Sequence, residues 1–230
     1  MRIAYLHGFA GSPAAWDDVA TQVPGKALAL PGHGGGPVLD SWDANLGAVA
    51  EQLGDADLVV GYSLGARVAL GLVASDRAAR AILISVNPGV DADARDARRV
   101  FDASWAAMLR ERGLATFLDA WEAQPLFATQ AQVPEDRRAA RRARRLELDP
   151  EQLARSLETM GLAEMPDYHA DIPRLAGRLF AIAGADDPKY AAIASSLGVP
   201  FAIIDGAGHD PLLEQPAALA AALVSFRDRR

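Results

Sequence analysis

Apolar residues fall along this chain in two patterns. Short unbroken runs at 3–6, 27–30, 58–61, 81–86, 179–183 and 201–204 read as strands. Continuous apolar runs of that length fit strands covered on both faces by helices. Between them, apolar positions recur every three or four residues, which predicts helices near 16–23, 44–53, 64–74, 190–197 and 216–226. Strand and helix alternating in this way predict stacked βα units around a parallel sheet. No internal repeat is present.

The alternation stops between residue 91 and about residue 171, where no strand-like run occurs and helical periodicity dominates. The expected organisation is therefore a core of residues 1–90 and 172–230 with a helical cap or lid inserted at 91–171. Within the insertion, RRAARRARR at 137–145 looks like a nucleic-acid patch when read alone. Residues 91–155 nevertheless hold twelve arginines against twelve acidic residues, so the segment is neutral and predicts a solvated helix laced with ion pairs.

Composition narrows the classes further. At 230 residues, 50% hydrophobic and 23% charged, the chain suits one domain with a full core. A net charge of −7 argues against a nucleic-acid binder held by phosphate contacts. The absence of cysteine removes disulfides, thiolate nucleophiles and thiolate metal sites from consideration. No run approaches the roughly 20 apolar residues of a membrane span, so a cytoplasmic protein without a membrane partner is expected.

The chemistry concentrates at strand ends. Gly61-Tyr62-Ser63-Leu64-Gly65 stands between the apolar run at 58–61 and an alanine-rich helix. A serine on such a strand-to-helix turn is held in a strained conformation that lifts its hydroxyl above the carboxyl edge of the sheet. A serine hydroxyl needs a base, and the base needs an orienting acid. On this kind of turn the partners follow in the order acid, then histidine. Of four histidines, His7 and His33 precede the serine, and His169 lies in or beside the insertion. His209, in Gly206-Ala-Gly-His after the last strand, is the candidate base. The acid should end the preceding strand, where Asp186 and Asp187 both stand; Asp187 is preferred for its Gly-x-x-Asp spacing, and Asp205 is a distant third. The His7-Gly8 turn after the first strand is placed to supply an oxyanion-binding N–H from Phe9, with a second from Leu64. An ordinary turn is the alternative.

Taken in order, these motifs resemble the α/β-hydrolase superfamily along nearly the whole chain. A narrower set looks like the 2-succinyl-6-hydroxy-2,4-cyclohexadiene-1-carboxylate synthases of menaquinone biosynthesis: LHGFAGSPAAW (6–16), LPGHGGG (30–36), GYSLGARVAL (61–70), NPG (87–89), FLDAWEAQPLFA (117–128), GADDPKY (184–190) and AGH (207–209). The resemblance implies an α/β-hydrolase fold, here a six-stranded all-parallel sheet in the order 2-1-3-4-5-6. It also implies a cofactor-independent and metal-free lyase that removes a proton and eliminates pyruvate from a carboxylate-rich cyclohexene. Arg67, Arg98 (or Arg95) and Arg145 match positions of carboxylate-binding arginines, while His7, Tyr62 and Trp121 match positions beside the substrate. Three departures stand out: Ala29 replaces an acidic residue, Ala66 a glycine, and Tyr190 a common phenylalanine. The other enzymatic reading is a serine hydrolase of esters or carbon–carbon bonds working through an acyl-enzyme. A non-enzymatic binding module on the same scaffold is the third. The expected partner is a small anionic substrate, and the expected state a monomer or homodimer.

Overall fold

The computed structural model describes residues 1–227. Six strands form one sheet: β1 (Ile3–Leu6), β2 (Lys26–Leu28), β3 (Leu58–Tyr62), β4 (Ala81–Ile84), β5 (Leu179–Gly184) and β6 (Phe201–Ile204). Their order is β2-β1-β3-β4-β5-β6 and every pairing is parallel. The α-helices are α1 (Asp17–Ala20), α2 (Trp42–Leu53), α3 (Leu64–Ala74), α4 (Ala92–Glu122), α5 (Glu135–Arg145), α6 (Pro150–Met160), α7 (Ile172–Leu175), α8 (Pro188–Ser196), α9 (Pro211–Glu214) and α10 (Pro216–Arg227). The six strands and α2, α3, α8 and α10 match the apolar pattern to within a few residues, whereas α7 and α9 have no predicted counterpart. The predicted helix at 16–23 is instead a 3-10 turn at Pro13–Trp16 followed by the single turn of α1.

Alternate strand residues feed two separate layers. Ala4, Leu6, Val59, Ala81 and Leu83 pack with α2 and α3 on one face. Ile3, Tyr5, Val60, Ile82 and Ile84 pack with Trp16, Val19 and α10 on the other. Burying each large aliphatic side chain stabilises by about 1.5–3 kcal/mol, so both faces must be covered. The edge strand departs from the expectation of two buried faces. Phe201 is 46% and Ile203 37% exposed, because β6 has no strand beyond it and only partial helix cover.

Four segments of the insertion, α4, a 3-10 segment at Pro125–Gln132, α5 and α6, follow β4, and α7 with a 3-10 turn at Ala176–Arg178 leads on to β5. α4 is long but broken at Gly113, whose φ of 77° is left-handed and favours glycine. These segments have their own apolar cluster, in which Ala106, Leu109, Phe117, Leu153 and Leu157 meet Ala10 of the core. No helix among the described residues is long and apolar enough to cross a membrane.

Candidate active site

Parallel pairing sets Leu6 beside Gly61, so the turns leaving β1 and β3 emerge side by side. Ser63 sits between β3 and α3 with φ 52° and ψ −108°. A non-glycine residue at such a φ is strained, and strain of this kind costs of order 1–3 kcal/mol. The flanking glycines allow it. A Cβ at 61 would overlap the Gly65 carbonyl, and one at 65 would overlap the carbonyls of Leu6 and His7.

Two residues from the far half of the chain complete the constellation. The Ser63 hydroxyl is 3.2 Å from Nε2 of His209. The other ring nitrogen of His209 is 2.9 Å from Oδ2 of Asp187. Asp187 is buried and its Oδ1 also accepts from the Tyr190 N–H at 3.2 Å, capping α8. Asp186 is exposed. The geometry therefore favours Asp187 of the two aspartates. With Nδ1–H donated to Asp187, the Nε2 lone pair faces the serine.

The turn after β1 supplies the remaining polar groups. Neither the Phe9 nor the Leu64 N–H donates to another group among the described residues. The Ala10 N–H is taken up, donating to Nε2 of His33 at 3.0 Å, and Ala10 itself has φ 51°. His33 holds its own place by donating Nδ1–H to the Pro31 carbonyl at 2.9 Å. Aromatic rings crowd this opening. Phe9 lies 5.1 Å from Trp121, which stacks on Phe117 at 5.4 Å, and the His209 ring contacts Tyr190 at 4.5 Å.

A hydroxyl, imidazole and carboxylate in series beside two unoccupied N–H donors can activate an oxygen nucleophile or move a proton at a neighbouring carbon. The alpha/beta hydrolase family model matches residues 3–222. The chain belongs to the alpha/beta hydrolase family. It is 33% identical over 97% of its length to the 2-succinyl-6-hydroxy-2,4-cyclohexadiene-1-carboxylate synthase of Enterobacter sp. (strain 638), covering 90% of that relative. To the synthase of Serratia proteamaculans (strain 568) it is 32% identical, covering 97% of this chain and 92% of the relative. The solved structure of MenH from S. aureus matches with a TM-score of 0.87 and 25% identity, over 98% of this chain and 92% of that one.

Against that family background, the structure sorts the remaining candidates. Arg67, one helical turn beyond Ser63, donates to the Met160 carbonyl at 2.9 Å and touches Met165 Sδ at 3.9 Å. No carboxylate among the described residues forms an ion pair with it. Burial, and then the charge of Arg98, pull its pKa down to about 10, so it remains a cation at neutral pH without a neutralising partner.

Arg98 and Arg145 depart from the expectation of free substrate-binding cations. The Arg98 Nε is 2.9 Å from Asp102 Oδ2, a buried carboxylate on the same helix. Arg95, the alternative, donates to the carbonyls of Ala163 (2.6 Å) and Met165 (2.9 Å). Arg145 is only 5% exposed. Its Nε donates to the Ala10 carbonyl at 3.2 Å, and its Nη1 lies 2.8 Å from Glu122 Oε1. Burial, then Arg141, lower its pKa to about 10. Arg145 thus ties α5 to the turn after β1.

His7 is a clearer correction. It is fully buried, with Nε2 accepting from the Leu30 N–H at 3.1 Å and Nδ1–H donating to the Gly8 carbonyl at 2.8 Å. Both ring nitrogens are satisfied internally, so none is left for a substrate. Burial, and then His33, lower its pKa to about 3, which keeps it neutral. Tyr62 is buried beside His209, and burial followed by the charge of Asp210 pushes its phenol well above the usual range. It lines a cavity of about 240 Å³ together with Phe9, Arg141, Arg145 and Asp210.

Several residues escaped the sequence reading. Ser85, with φ 52°, donates its hydroxyl to the His209 carbonyl at 2.8 Å. His33 orients the Ala10 amide, and Asp210 and Glu214 brace the histidine loop. Only the positions of His33, in LPGHGGG, and of Asp210 and Glu214, just after His209, offered a signal.

Proposed function

We propose that this chain is a cytoplasmic, cofactor-independent carbon–oxygen lyase. It eliminates pyruvate from 2-succinyl-5-enolpyruvyl-6-hydroxy-3-cyclohexene-1-carboxylate, with residues 91–171 as its cap. The observation that carries this reading is Arg67: a cation without a carboxylate partner, one turn from Ser63, in a chain 32–33% identical to synthases of that name.

In this reading His209 draws the proton from Ser63, and the serine oxygen removes a proton from a substrate carbon. The electron pair from that C–H bond forms the new ring double bond. The pair of the existing ring double bond shifts one bond on to form the second C=C and breaks the C–O bond to the enolpyruvyl group, and the departing enolate becomes pyruvate by taking at carbon the proton held on the His209 imidazolium. The Phe9 and Leu64 N–H groups, which carry no internal partner, bind the oxygen on which charge builds. Asp187 keeps the imidazole in the tautomer that accepts at Nε2 and stabilises the imidazolium. Arg67 binds a substrate carboxylate, for which a planar guanidinium is suited.

The deciding assay is pyruvate release from the menaquinone intermediate by purified protein, coupled to lactate dehydrogenase. Turnover with poor hydrolysis of p-nitrophenyl esters is expected. A burst of p-nitrophenol with no pyruvate release would overturn the lyase reading in favour of an acyl-enzyme hydrolase.

A further inference from the structure

The sequence predicts a solvated, ion-paired helix here with Arg145 at the substrate, and the structure adds Arg141, which is largely buried with its Nη1 2.5 Å from Oδ2 of Asp210. Asp210 is itself buried, and it is the residue directly after His209. A second contact reaches the residue directly before. The Gly208 N–H donates to Oε2 of Glu214, whose Oε1 accepts the Thr129 hydroxyl at 2.9 Å. A Cβ at 208 would overlap the Thr129 side chain, so the 3-10 segment Pro125–Gln132 presses directly on the histidine loop.

The inserted region thus reaches both neighbours of His209: Arg141 contacts Asp210 directly, and Thr129 packs on Gly208 and holds the Glu214 carboxylate that accepts the Gly208 N–H. Asp187 fixes one ring nitrogen and Ser85 holds the His209 carbonyl, but the loop backbone on either side, with Gly206 at φ 68°, sets where the imidazole reaches Ser63. Misplacement of a reacting group by about 1 Å is enough to cost roughly a hundredfold in rate. A loop with glycines on the approach to the base needs such braces.

We propose that Arg141 and Thr129 are positioning residues through which the inserted segment sets the His209 imidazole on Ser63, by way of Asp210 and Glu214. On this view the sheet alone does not complete the triad; docking of α5 and the 3-10 segment does. The inference concerns the triad, whichever substrate it serves.

The test uses four variants of the full chain: Arg141→Met, Arg141→Lys, Arg141→Met with Asp210→Asn, and Thr129→Val. The readouts are the rate of Ser63 labelling by a fluorophosphonate, kcat and KM for pyruvate release, and the thermal midpoint. Arg141→Met should slow labelling and kcat about tenfold or more, with KM within about twofold, since the defect lies in the alignment of reacting groups. Arg141→Lys should recover most of the loss. Removing one partner of a buried pair strands the other charge, so Arg141→Met should also lower the thermal midpoint. The double variant should restore that midpoint and still label slowly, and Thr129→Val should show a smaller loss of the same kind. Unchanged labelling in Arg141→Met, or full recovery of labelling together with stability in the double variant, would overturn the proposal. If labelling follows the expected pattern while no variant or parent releases pyruvate, the lyase reading fails and the positioning role stands.

Discussion

Two buried neutral histidines join the turn after β1 to the loop after β2, and they make the fold sensitive to mild acid. His7 accepts the Leu30 N–H and His33 accepts the Ala10 N–H, each through Nε2. Burial is the main reason their folded-state values fall from 6.5 to about 3 and about 4. Protonation would convert each acceptor into a donor facing an N–H. Because the folded values are depressed, the unfolded chain binds more protons below about pH 6.5. The stabilisation is present above that pH and is lost as pH falls toward the folded values. At pH 5 an unfolded histidine of value 6.5 is almost wholly protonated, while neither folded one is. Each site then loses about 2 kcal/mol relative to pH 7.5, so about 4 kcal/mol disappears from the pair. That is a large share of the 5–15 kcal/mol typical of a domain. Urea unfolding followed by circular dichroism at pH 7.5, 6 and 5 measures it. Glutamine at either position keeps a side-chain acceptor and cannot titrate. His33→Gln should therefore retain about 2 kcal/mol more of its pH 7.5 stability at pH 5 than the parent does. An identical pH dependence in the variant and the parent would refute the reasoning.

Three further outcomes are expected. Ser63→Gly should end pyruvate release yet raise stability by about 1 kcal/mol, because glycine accepts φ 52° without strain; a lower thermal midpoint would contradict this. Asp187→Asn should cut kcat about 10³–10⁴-fold with folding intact, since an amide no longer fixes the imidazole tautomer. Steady-state kinetics beside a thermal melt separates that from misfolding. Arg67→Ala should lower kcat/KM for the carboxylated substrate by about 2–3 kcal/mol, the usual worth of a hydrogen bond to a charged group. An equal loss on a neutral ester would argue against carboxylate recognition.

The apolar runs of the chain were enough to place all six strands, and G-x-S-x-G between a strand and a helix was enough to single out Ser63. Both are local signals: a strand or turn depends on residues a few positions apart, and those are written side by side. The serine turn in particular requires glycine at 61 and 65, because neighbouring carbonyls occupy the space of a Cβ. The order of acid and base narrowed the partners to His209 and two aspartates, and only the burial of Asp187 and exposure of Asp186 separated the pair. The arginines were beyond reach for a different reason. Arg67, Arg98, Arg141 and Arg145 are the same residue type on helices of ordinary pattern, and their roles depend on which acid or carbonyl faces them. For Arg145 that group is the carbonyl of Ala10, 135 positions away. His7 likewise resembled a substrate contact until the fold placed the Leu30 N–H and the Gly8 carbonyl against its two nitrogens. Periodicity is a property of the chain, whereas the satisfaction of a buried charge or ring nitrogen belongs to the packed whole.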